Sequence, residues 1–308
     1  MSKDRMRFIL ADWGTSRFRA YLVDGKAIVD RVSSDEGVSN LREGQHRDVF
    51  LKHCRPWLER EPDAPVALVG MVGSREGWRM APYAECPAGP EEIARAMIEV
   101  EIEGRRLGHI VPGLTCEPED GTGAVDVMRG EETLCLGAGV ADGLICLPGT
   151  HPKWVEMRGG AIRRFATYFT GEMYGLLRHH SMVGRPATEP EDPSGFERGL
   201  DAAERNNGRN GRRVGLLHLI FGARAAAVTG KLPTAQLGPY ISGLLTGDEV
   251  AGAFSLFEKP ERVTAIGDPG RIALVAKALA RHGVAVAPVP AEEALIAGLA
   301  RILRHHRI

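Results

Sequence analysis

The sequence predicts an α/β protein with two lobes and mixed sheets, and three observations support this class. The chain has 308 residues, which is more than one modest domain needs and enough for two hydrophobic cores. Short apolar segments alternate with helical segments, as in sheets that are covered by helices. A theme of strand, Gly-Thr turn, strand, tight turn and strand occurs at 7–32 and again at 143–166, so we suspect a structural duplication.

The first half of the chain begins with three short strands. Residues 7–12 form an apolar run that ends in an acid, and residues 17–24 and 27–32 continue it as a meander. The pattern then predicts a helix at 48–59, a strand at 65–72, a helix at 91–99, a strand at 108–112 and a helix from 131. Residues 113–126 are rich in Gly, Asp and Thr, which indicates a crossing between the lobes.

The second half repeats the opening and then becomes largely helical. Strands are predicted at 143–147, 153–158, 161–166, 263–266 and 284–287, and helices at 171–180, 196–205, 213–228, 239–257, 271–281 and 291–304. We place the boundary between the lobes after residue 138, so that the two domains are 1–138 and 139–308.

Charge and composition exclude several classes of protein. Lys and Arg number 39 against 40 for Asp and Glu, so the net charge is −1 and we expect no nucleic-acid or membrane-surface binder. Hydrophobic residues make up 44% and charged residues 26%, which excludes wholesale disorder. The 38 glycines indicate many tight turns and close backbone approaches, as in α/β proteins that handle nucleotides.

The cysteines and the apolar segments bear on the cellular compartment. Five scattered cysteines without a Cys-x-x-Cys pair predict neither a disulfide framework nor a thiolate metal site. The N-terminus carries charges where a secretory signal needs an apolar stretch. The best membrane candidate, 214–230, is short and is interrupted by His218 and Arg224. We therefore expect a cytoplasmic protein that makes no membrane contact.

The first candidate site is the turn after the opening strand, where Asp12 precedes Gly14, Thr15 and Ser16. A glycine and two hydroxyls in a hairpin turn can present backbone N–H groups and hydroxyls to a phosphate, and the carboxylate can hold a hydrated magnesium ion. An ordinary turn explains these residues equally well. The chain contains no Walker G-x-x-x-x-G-K-[ST] motif, which disfavours a P-loop enzyme.

A second turn of the same kind follows the strand at 143–147 and contains Gly149 and Thr150. Two such turns in one chain fit a cleft with one phosphate-binding turn in each lobe. Gly267 and Asp268 lie between a late strand and a helix, where an adenosine could bind. An ordinary strand–helix loop would have the same composition.

Several blocks of the sequence resemble one known family. DWGTS at 12–16, GMVGSREGW at 70–78 with APY at 81–83, VPGL at 111–114, DVMRGEET at 126–133, PGTH at 148–151 with KWV at 153–155, and YISGLLTG at 240–247 occur in the family's order. They make the chain similar to the 2-dehydro-3-deoxygalactonokinases, which are sugar-acid kinases of the actin–hexokinase–Hsp70 superfamily. The resemblance implies two ribonuclease-H-like lobes with mixed sheets and an ATP cleft between them.

The resemblance also implies a reaction. The family transfers phosphate from ATP, with Mg²⁺, to the terminal 6-hydroxyl of 2-dehydro-3-deoxy-D-galactonate in galactonate and galactose catabolism. An alcohol is a poor nucleophile at neutral pH, so a carboxylate base near the attacking oxygen is useful. Asp126, which follows Gly121-Thr122-Gly123, is the candidate catalytic base. An acid that the dipole favours at a helix start is the other interpretation of Asp126.

The resemblance divides the remaining binding residues between the lobes. In the N-terminal lobe it assigns the metal to Asp12 and a phosphate to Gly14, Thr15 and Ser16. In the C-terminal lobe it assigns a phosphate to Gly149 and Thr150 and the adenosine to Gly267 and Asp268.

The sugar acid is an anion, so its carboxylate needs a cationic pocket. Arg75 is the leading candidate, because a guanidinium binds carboxylate in bidentate fashion and Arg75 lies in the matching block 70–78. The other candidates for substrate contacts are Ser74, Trp78, Tyr83 and Lys153. Core packing explains Trp78 and Tyr83 equally well, and a surface position explains Lys153.

Two rival functions stay open from the sequence. One is a kinase for another keto-sugar acid on the same scaffold, and the other is an ATP-binding regulator without kinase activity. Asp126 argues against the regulator, because a protein that transfers no phosphate needs no base. Arg75 argues for an acidic substrate. A homodimer is among the oligomeric states that the sequence allows.

Overall fold

The computed structural model describes residues 6–104, 106–117, 124–208 and 214–306. The chain packs as two compact units. The first comprises Met1–Gly143, Val155–Phe165 and Val289–Ile308, and the second comprises Leu144–Trp154 and Ala166–Pro288. The sequence boundary after residue 138 divides the chain by function, and that division stays a prediction.

The elements follow the chain in this order. The first are β1 (Arg7–Trp13), β2 (Phe18–Asp24), β3 (Ala27–Ser34), α1 (His46–Arg60), β4 (Val66–Gly70), β5 (Tyr83–Glu85), α2 (Pro90–Arg95), β6 (Ile98–Glu103), β7 (Arg106–Ile110), β8 (Gly113–Cys116), β9 (Asp126–Met128) and α3 (Glu131–Gly137). They are followed by β10 (Gly143–Leu147), β11 (Lys153–Arg158), β12 (Ala161–Thr167), α4 (Thr170–His180), α5 (Ser194–Gly208), α6 (Leu216–Val228), α7 (Leu237–Leu256), β13 (Arg262–Ile266), α8 (Pro269–Arg281), β14 (Ala285–Val289) and α9 (Ala291–Leu303).

The two larger sheets share their strand order. One has the order β3-β2-β1-β4-β7-β6, in which β1 pairs antiparallel with β2 and parallel with β4. The other has the order β12-β11-β10-β13-β14, in which β10 and β13 are parallel. In both sheets, three consecutive strands lie side by side and a later, parallel strand joins the first of them. This common order supports the suspected duplication, and the α/β class with mixed sheets is confirmed.

Each unit has its own hydrophobic core. In the first unit, Ile9 and Trp13 of β1 belong to one buried cluster with Phe50 of α1. In the second unit, Trp154 of β11 belongs to a cluster with Phe196 of α5 and residues of α7, α8, β10 and β13. These cores hold the ends of β1 and β10, from which the two candidate turns extend. Within the described ranges, no helix is long and apolar enough to span a membrane.

The predicted helix at 91–99 is only partly correct. The helix α2 ends at Arg95, and Ile98–Glu103 forms β6, which pairs antiparallel with β7. Residues 98–103 alternate strictly between apolar and acidic side chains, and Val100 and Ile102 are buried. A period of two is typical of a strand with one buried face, so the alternation itself indicates the strand that pairs with β7.

The predicted crossing at 113–126 contains regular structure at both ends. Gly113–Cys116 forms β8, which pairs parallel with β5 and antiparallel with β9. These three strands make a small separate sheet. Strands of only three or four residues leave little periodic signal, which is why the composition indicated only a loop.

Candidate active site

The first candidate turn joins β1 to β2 and contains Gly14, Thr15 and Ser16. The Gly14 N–H donates to the Arg17 carbonyl at 2.9 Å, which closes the turn. Thr15 and Ser16 are exposed. The turn therefore offers two hydroxyls at the end of a buried strand, as the sequence interpretation requires.

A glycine outside the turn supports it from behind. Gly37 approaches so closely that a Cβ atom there would lie 2.2 Å from the carbonyl carbon of Ser16 and 2.4 Å from the carbonyl oxygen of Thr15. The Ser39 N–H also donates to the Thr15 carbonyl, at 2.9 Å. Any residue larger than glycine at this position would displace the turn. The sequence analysis did not select Gly37.

Asp12, the predicted metal residue, lies near the end of β1. Its side chain is 18% exposed and forms an ion pair with Arg19, with Oδ2 and Nη2 2.5 Å apart. Burial raises the pKa of this carboxyl, Arg19 lowers it, and the negative charge of Glu131 raises it further. The carboxylate is therefore in a position that a second cation would stabilise.

Two glycines bring the DVMRGEET block against the end of β1. Gly70 ends β4 with φ +92°, and a Cβ atom there would lie 2.9 Å from the Trp13 carbonyl oxygen. Gly130 has φ +108°, and a Cβ atom there would lie 3.3 Å from the Gly70 Cα. Both positions favour glycine, because other residues rarely adopt these angles and would separate the backbones. This contact brings Glu131 close enough to act on Asp12.

Glu132 is a buried acid in the same block. It is 1% exposed, and its carboxylate accepts hydrogen bonds from the Gly130 N–H at 2.6 Å and the Thr133 hydroxyl at 3.0 Å. Burial raises the pKa of Glu132 to about 7, with a further contribution from the charge of Glu131. A carboxyl with this pKa can exchange its proton near neutral pH, and the sequence analysis gave it no role.

The acids beside the first turn fit a hydrated magnesium ion. In the part of the chain that the structure describes, no group of three His, Cys, Asp or Glu side chains is arranged to hold a metal. Magnesium needs fewer protein ligands in such sites, because waters and substrate phosphates complete its shell beside one or two carboxylates. Asp12 is largely buried, and the negative charge of Glu131 acts on it, so its carboxylate is a suitable oxygen ligand for the ion.

The predicted substrate segment follows β4. It begins with a short 3-10 turn, Met71–Gly73, and continues as a loop. Ser74 is 9% exposed, and its hydroxyl lies 3.4 Å from the Glu76 carboxylate. Arg75 is exposed. The serine is therefore part of the packed turn, whereas the arginine extends into solvent.

The two aromatic candidates of this segment differ in their surroundings. The centroid of the Trp78 ring lies 6.4 Å from that of Trp13 and 6.1 Å from that of Phe50, so Trp78 packs against the core of the first unit. Tyr83 is 39% exposed, and the guanidinium of Arg129 lies over its ring at 4.4 Å. Core packing accounts for Trp78, and its contact with a substrate stays a prediction. Tyr83 has a surface that a ligand can reach.

Asp126, the predicted base, begins β9. One carboxylate oxygen accepts a hydrogen bond from the Val127 N–H at 2.7 Å, and the Thr115 hydroxyl donates to the Asp126 carbonyl at 3.1 Å. Because α3 begins only at Glu131, the interpretation of Asp126 as an acid at a helix start is wrong. The preceding Gly121-Thr122-Gly123 lies outside the described residues. The catalytic role of Asp126 stays a prediction.

The second candidate turn follows β10 and contains Gly149 and Thr150. A Cβ atom at Gly171, in the first turn of α4, would lie 2.3 Å from the Gly149 carbonyl oxygen and 2.8 Å from the Thr150 Cα. The Glu172 N–H donates to the Thr150 carbonyl at 2.9 Å. Gly171 therefore supports the second turn as Gly37 supports the first.

Lys153 begins β11 directly after this turn. It is only 5% exposed, and its ammonium group donates to the His151 carbonyl at 3.2 Å. The interpretation of Lys153 as a surface lysine is therefore wrong. A buried ammonium so close to the turn can stabilise an anion bound there, and its contact with substrate stays a prediction.

A pocket of about 220 Å³ adjoins the second turn within the second unit. It is lined by Pro148, Gly149, Pro152, Thr170, Gly171, Tyr174, Ser242, Leu245, Thr246, Glu249, Arg271, Leu274 and Val275. Apolar side chains with a few polar groups among them are typical of sites for a heterocyclic ligand. Glu249 is buried there and accepts a hydrogen bond from the Trp154 indole at 3.0 Å, and burial raises its pKa.

The predicted adenosine residues lie at the start of α8. Asp268 caps this helix, because its carboxylate accepts a hydrogen bond from the Arg271 N–H at 3.0 Å. Gly267 has φ +151°, and a Cβ atom there would lie 3.4 Å from the Pro148 carbonyl oxygen. The cap explains Asp268 without a ligand. The binding of adenosine by Gly267 and Asp268 stays a prediction.

Comparisons with known proteins agree with the sequence resemblance. A family model described as 2-keto-3-deoxy-galactonokinase matches residues 12–302. The 2-dehydro-3-deoxygalactonokinase of Escherichia coli K12 is 33% identical over 303 residues, which cover 96% of this chain and 97% of that protein. The protein named "Probable 2-dehydro-3-deoxygalactonokinase DgoK1" of Rhizobium meliloti is 32% identical, with 96% of each chain covered.

A solved structure leads to the same family. A protein of Sinorhizobium meliloti, described as a candidate 2-dehydro-3-deoxygalactonokinase, superposes with a TM-score of 0.83 at 30% identity. The superposition covers 96% of this chain and 98% of that one. Fold and relatives together define a carbohydrate kinase, an enzyme that transfers phosphate to an alcohol. The chain belongs to the 2-keto-3-deoxy-galactonokinase family, and the resemblance seen in the sequence blocks is confirmed.

Proposed function

We propose that this kinase transfers the γ-phosphate of ATP to the terminal 6-hydroxyl of 2-dehydro-3-deoxy-D-galactonate. The observation that carries the proposal is the cluster at the end of β1 in a chain of this family. There, the exposed hydroxyls of Thr15 and Ser16 follow the largely buried Asp12, on which the charge of Glu131 acts. Phosphoryl transfer needs phosphate donors and a cation at one place, and this cluster supplies positions for both.

The nucleotide is assigned to the second unit. The adenosine would lie in the pocket between Gly149 and Val275, and its phosphates would meet the turn at Gly149 and Thr150. Leu245 and Leu274 supply apolar surface for a base, and Ser242 and Thr246 supply hydroxyls. The buried ammonium of Lys153 adds positive charge beside the turn.

Asp12 would hold the hydrated Mg²⁺, which supplies charge neutralisation for the phosphates when it is bound. Arg19 already keeps this carboxylate paired, so the side chain is oriented before any metal arrives. Asp126 is the proposed base that accepts the proton of the attacking hydroxyl. The sugar acid would contact the segment of Ser74, Arg75, Trp78 and Tyr83.

A coupled assay of ADP release over a panel of sugar acids and neutral sugars tests the proposal. We expect turnover with 2-dehydro-3-deoxy-D-galactonate to exceed that with every neutral sugar by at least about a hundredfold, because a neutral sugar has no carboxylate to pair with the proposed cationic contact. Higher kcat/KM with another keto-sugar acid would assign the scaffold to that acid. ATP binding without ADP release on any acceptor would contradict a kinase and favour the regulator. Cytoplasmic location and a homodimer stay predictions.

A further inference from the structure

One guanidinium in the first unit has donors that the fold does not use. Arg129 donates from Nη2 to the Ala81 carbonyl at 3.0 Å. Its Nε and Nη1 atoms are buried and have no hydrogen-bond partner among the described residues. Buried polar groups are nearly always paired, and a buried charged donor without a partner is especially costly. The fold by itself therefore does not explain why an arginine is present here.

The surroundings of this guanidinium are those of the predicted substrate segment. A Cβ atom at Gly73 would lie 2.8 Å from Nη1, so the glycine makes room for the arginine. The Tyr83 ring covers one face of the guanidinium at 4.4 Å and is itself 39% exposed. The unpaired Nη1 thus lies beside Gly73, and the guanidinium lies against a tyrosine that borders solvent.

The block that carries Arg129 also reaches the acids at the end of β1. Gly130 contacts Gly70, which in turn contacts the backbone beside Asp12. The segment 129–131 therefore carries a cation beside Gly73 and Tyr83 and a carboxylate, that of Glu131, whose charge acts on Asp12. A linear sugar acid has the matching polarity, because its carboxylate and its terminal hydroxyl are at opposite ends.

We propose that Arg129 binds the carboxylate of the sugar acid and thereby aims its other end at Asp12. This inference rests on the proposed function and names the residue that selects an acidic substrate. Arg75, which the sequence favoured for this role, is exposed, and exposed ion pairs contribute little. A guanidinium that is already desolvated binds a carboxylate more strongly than one that must first lose its water.

The test compares an acid with its neutral analogue. We would measure kcat/KM for 2-dehydro-3-deoxy-D-galactonate and for its primary amide, with the wild type, Arg129→Gln and Arg75→Ala. In Arg129→Gln we expect kcat/KM for the acid to fall at least about a hundredfold, and that for the amide to change less than about threefold. Arg129→Lys should recover only part of the loss, because an ammonium is a point charge without the planar donor set.

Arg79→Gln is the matched control. Arg79 lies in the loop that also contains Arg75. It is exposed and donates to the Glu99 carbonyl at 2.7 Å, outside the proposed site. It should keep the wild-type preference for acid over amide. Calorimetric binding of the sugar acid and of ATP adds a readout without turnover. Arg129→Gln should lower the affinity for the sugar acid and leave the affinity for ATP unchanged. If Arg129→Gln does not fold, Arg129→Lys carries the same comparison.

Four outcomes would overturn the inference. Equal losses on acid and amide would make Arg129 a structural residue. Wild-type kcat/KM for the acid in Arg129→Gln would remove it from the site, and an acid-specific loss in Arg75→Ala alone would restore the sequence prediction. If the wild type turns over no sugar acid, the proposed function fails, and binding of the acid by wild type and not by Arg129→Gln would still support the inference. Absence of binding by the wild type would overturn it.

Discussion

The turn at 14–17 and the turn at 148–151 are supported in the same way in their two units. Each follows the first strand of its sheet, and each lies against a glycine that leaves no space for a Cβ atom, Gly37 in one case and Gly171 in the other. Each also lies beside a glycine with positive φ at the end of a parallel strand, Gly70 or Gly267. The same arrangement of a turn and its supporting glycines therefore occurs once in each unit.

The side chains around the two turns differ completely. The first turn follows Asp12, and the charge of Glu131 acts on that acid. The second follows Pro148, precedes the buried Lys153 and opens into a largely apolar pocket. In the function we propose, the same backbone serves a metal and an alcohol in one unit and a nucleotide in the other, because the residues next to it set the charge. Four predictions test this division.

Asp126→Asn should have the largest effect on turnover. If Asp126 removes the proton of the attacking hydroxyl, kcat should fall by about a hundredfold or more, while ATP binding stays the same. Single-turnover kinetics with the sugar acid measures the change, and Asp63→Asn, at an exposed position, is the control. Near-wild-type kcat in a folded variant would exclude Asp126 and leave the acids of α3, Glu131 and Glu132, as the available carboxylates.

Asp12→Ala should raise the magnesium requirement. Loss of a group that orients the metal's waters typically costs about 10–100-fold in metal affinity or activity. Titration of activity with Mg²⁺ should show the shift, and excess Mg²⁺ should restore part of the rate. Thr150→Ala, in the other turn, should instead raise the KM for ATP. A magnesium dependence that changes equally in both variants would contradict the division between the turns.

Glu132→Gln should change how stability depends on pH. The pKa of Glu132 is about 7 in the fold against an ordinary value of 4.5, so the folded state keeps this proton where the unfolded chain has lost it. The free energy of unfolding therefore decreases as pH rises from about 4.5 to about 7, by roughly 3 kcal/mol at most.

Glutamine does not titrate, so the denaturant midpoint of the variant should not decrease over this pH range. At about pH 8 it should exceed the midpoint of the wild type. Glu249→Gln should act in the same direction in the second unit, since burial also raises the pKa of Glu249. Exposed Glu59→Gln should have no effect. An unchanged slope in Glu132→Gln would mean that Glu132 is ionised in the fold.

Gly171→Ala should have the smallest effect of the four. Its Cβ atom would meet the Gly149 carbonyl at 2.3 Å, and such overpacking costs about 1–3 kcal/mol. We expect a lower melting temperature and a severalfold higher KM for ATP. Gly175→Ala, one turn further along α4, has open space around its Cβ atom and should be neutral or stabilising. Equal effects at both positions would show that Gly171 does not support the turn.

The local parts of the fold could be predicted from the sequence. The meander at 7–32 and its counterpart at 143–166 follow from alternating apolar residues and turn glycines, and both are present. The helix predicted at 91–99 extended over the first two residues of the strand Ile98–Glu103, and the rest of that strand was not predicted, although its side chains alternate between apolar and acidic. The small sheet of β5, β8 and β9 was missed because its strands have only three or four residues each, too few for a periodic pattern.

In the candidate site, too, the local features could be predicted from the sequence and the contacts between segments could not. Its turns, with Asp12, Thr15 and Thr150, were recognisable because each occupies a few consecutive residues. Its supports were not, because Gly37 and Gly171 matter only through atoms of another segment. Arg129 was visible inside the block DVMRGEET but had no assigned role, since nothing in the sequence distinguishes a guanidinium with unpaired nitrogens from one that is paired.

The sequence by itself determined the α/β class, the family, and the order of strands and turns along the chain, because periodicity, turn residues and motif blocks are local properties. Only the tertiary structure decided which side chains are buried and what they face. It placed Lys153 in the interior and Arg75 in solvent, and it raised the pKa of Glu132 by removing water. Burial, charge and close approach depend on segments far apart in the chain, and these three properties determine what each residue of the site can do.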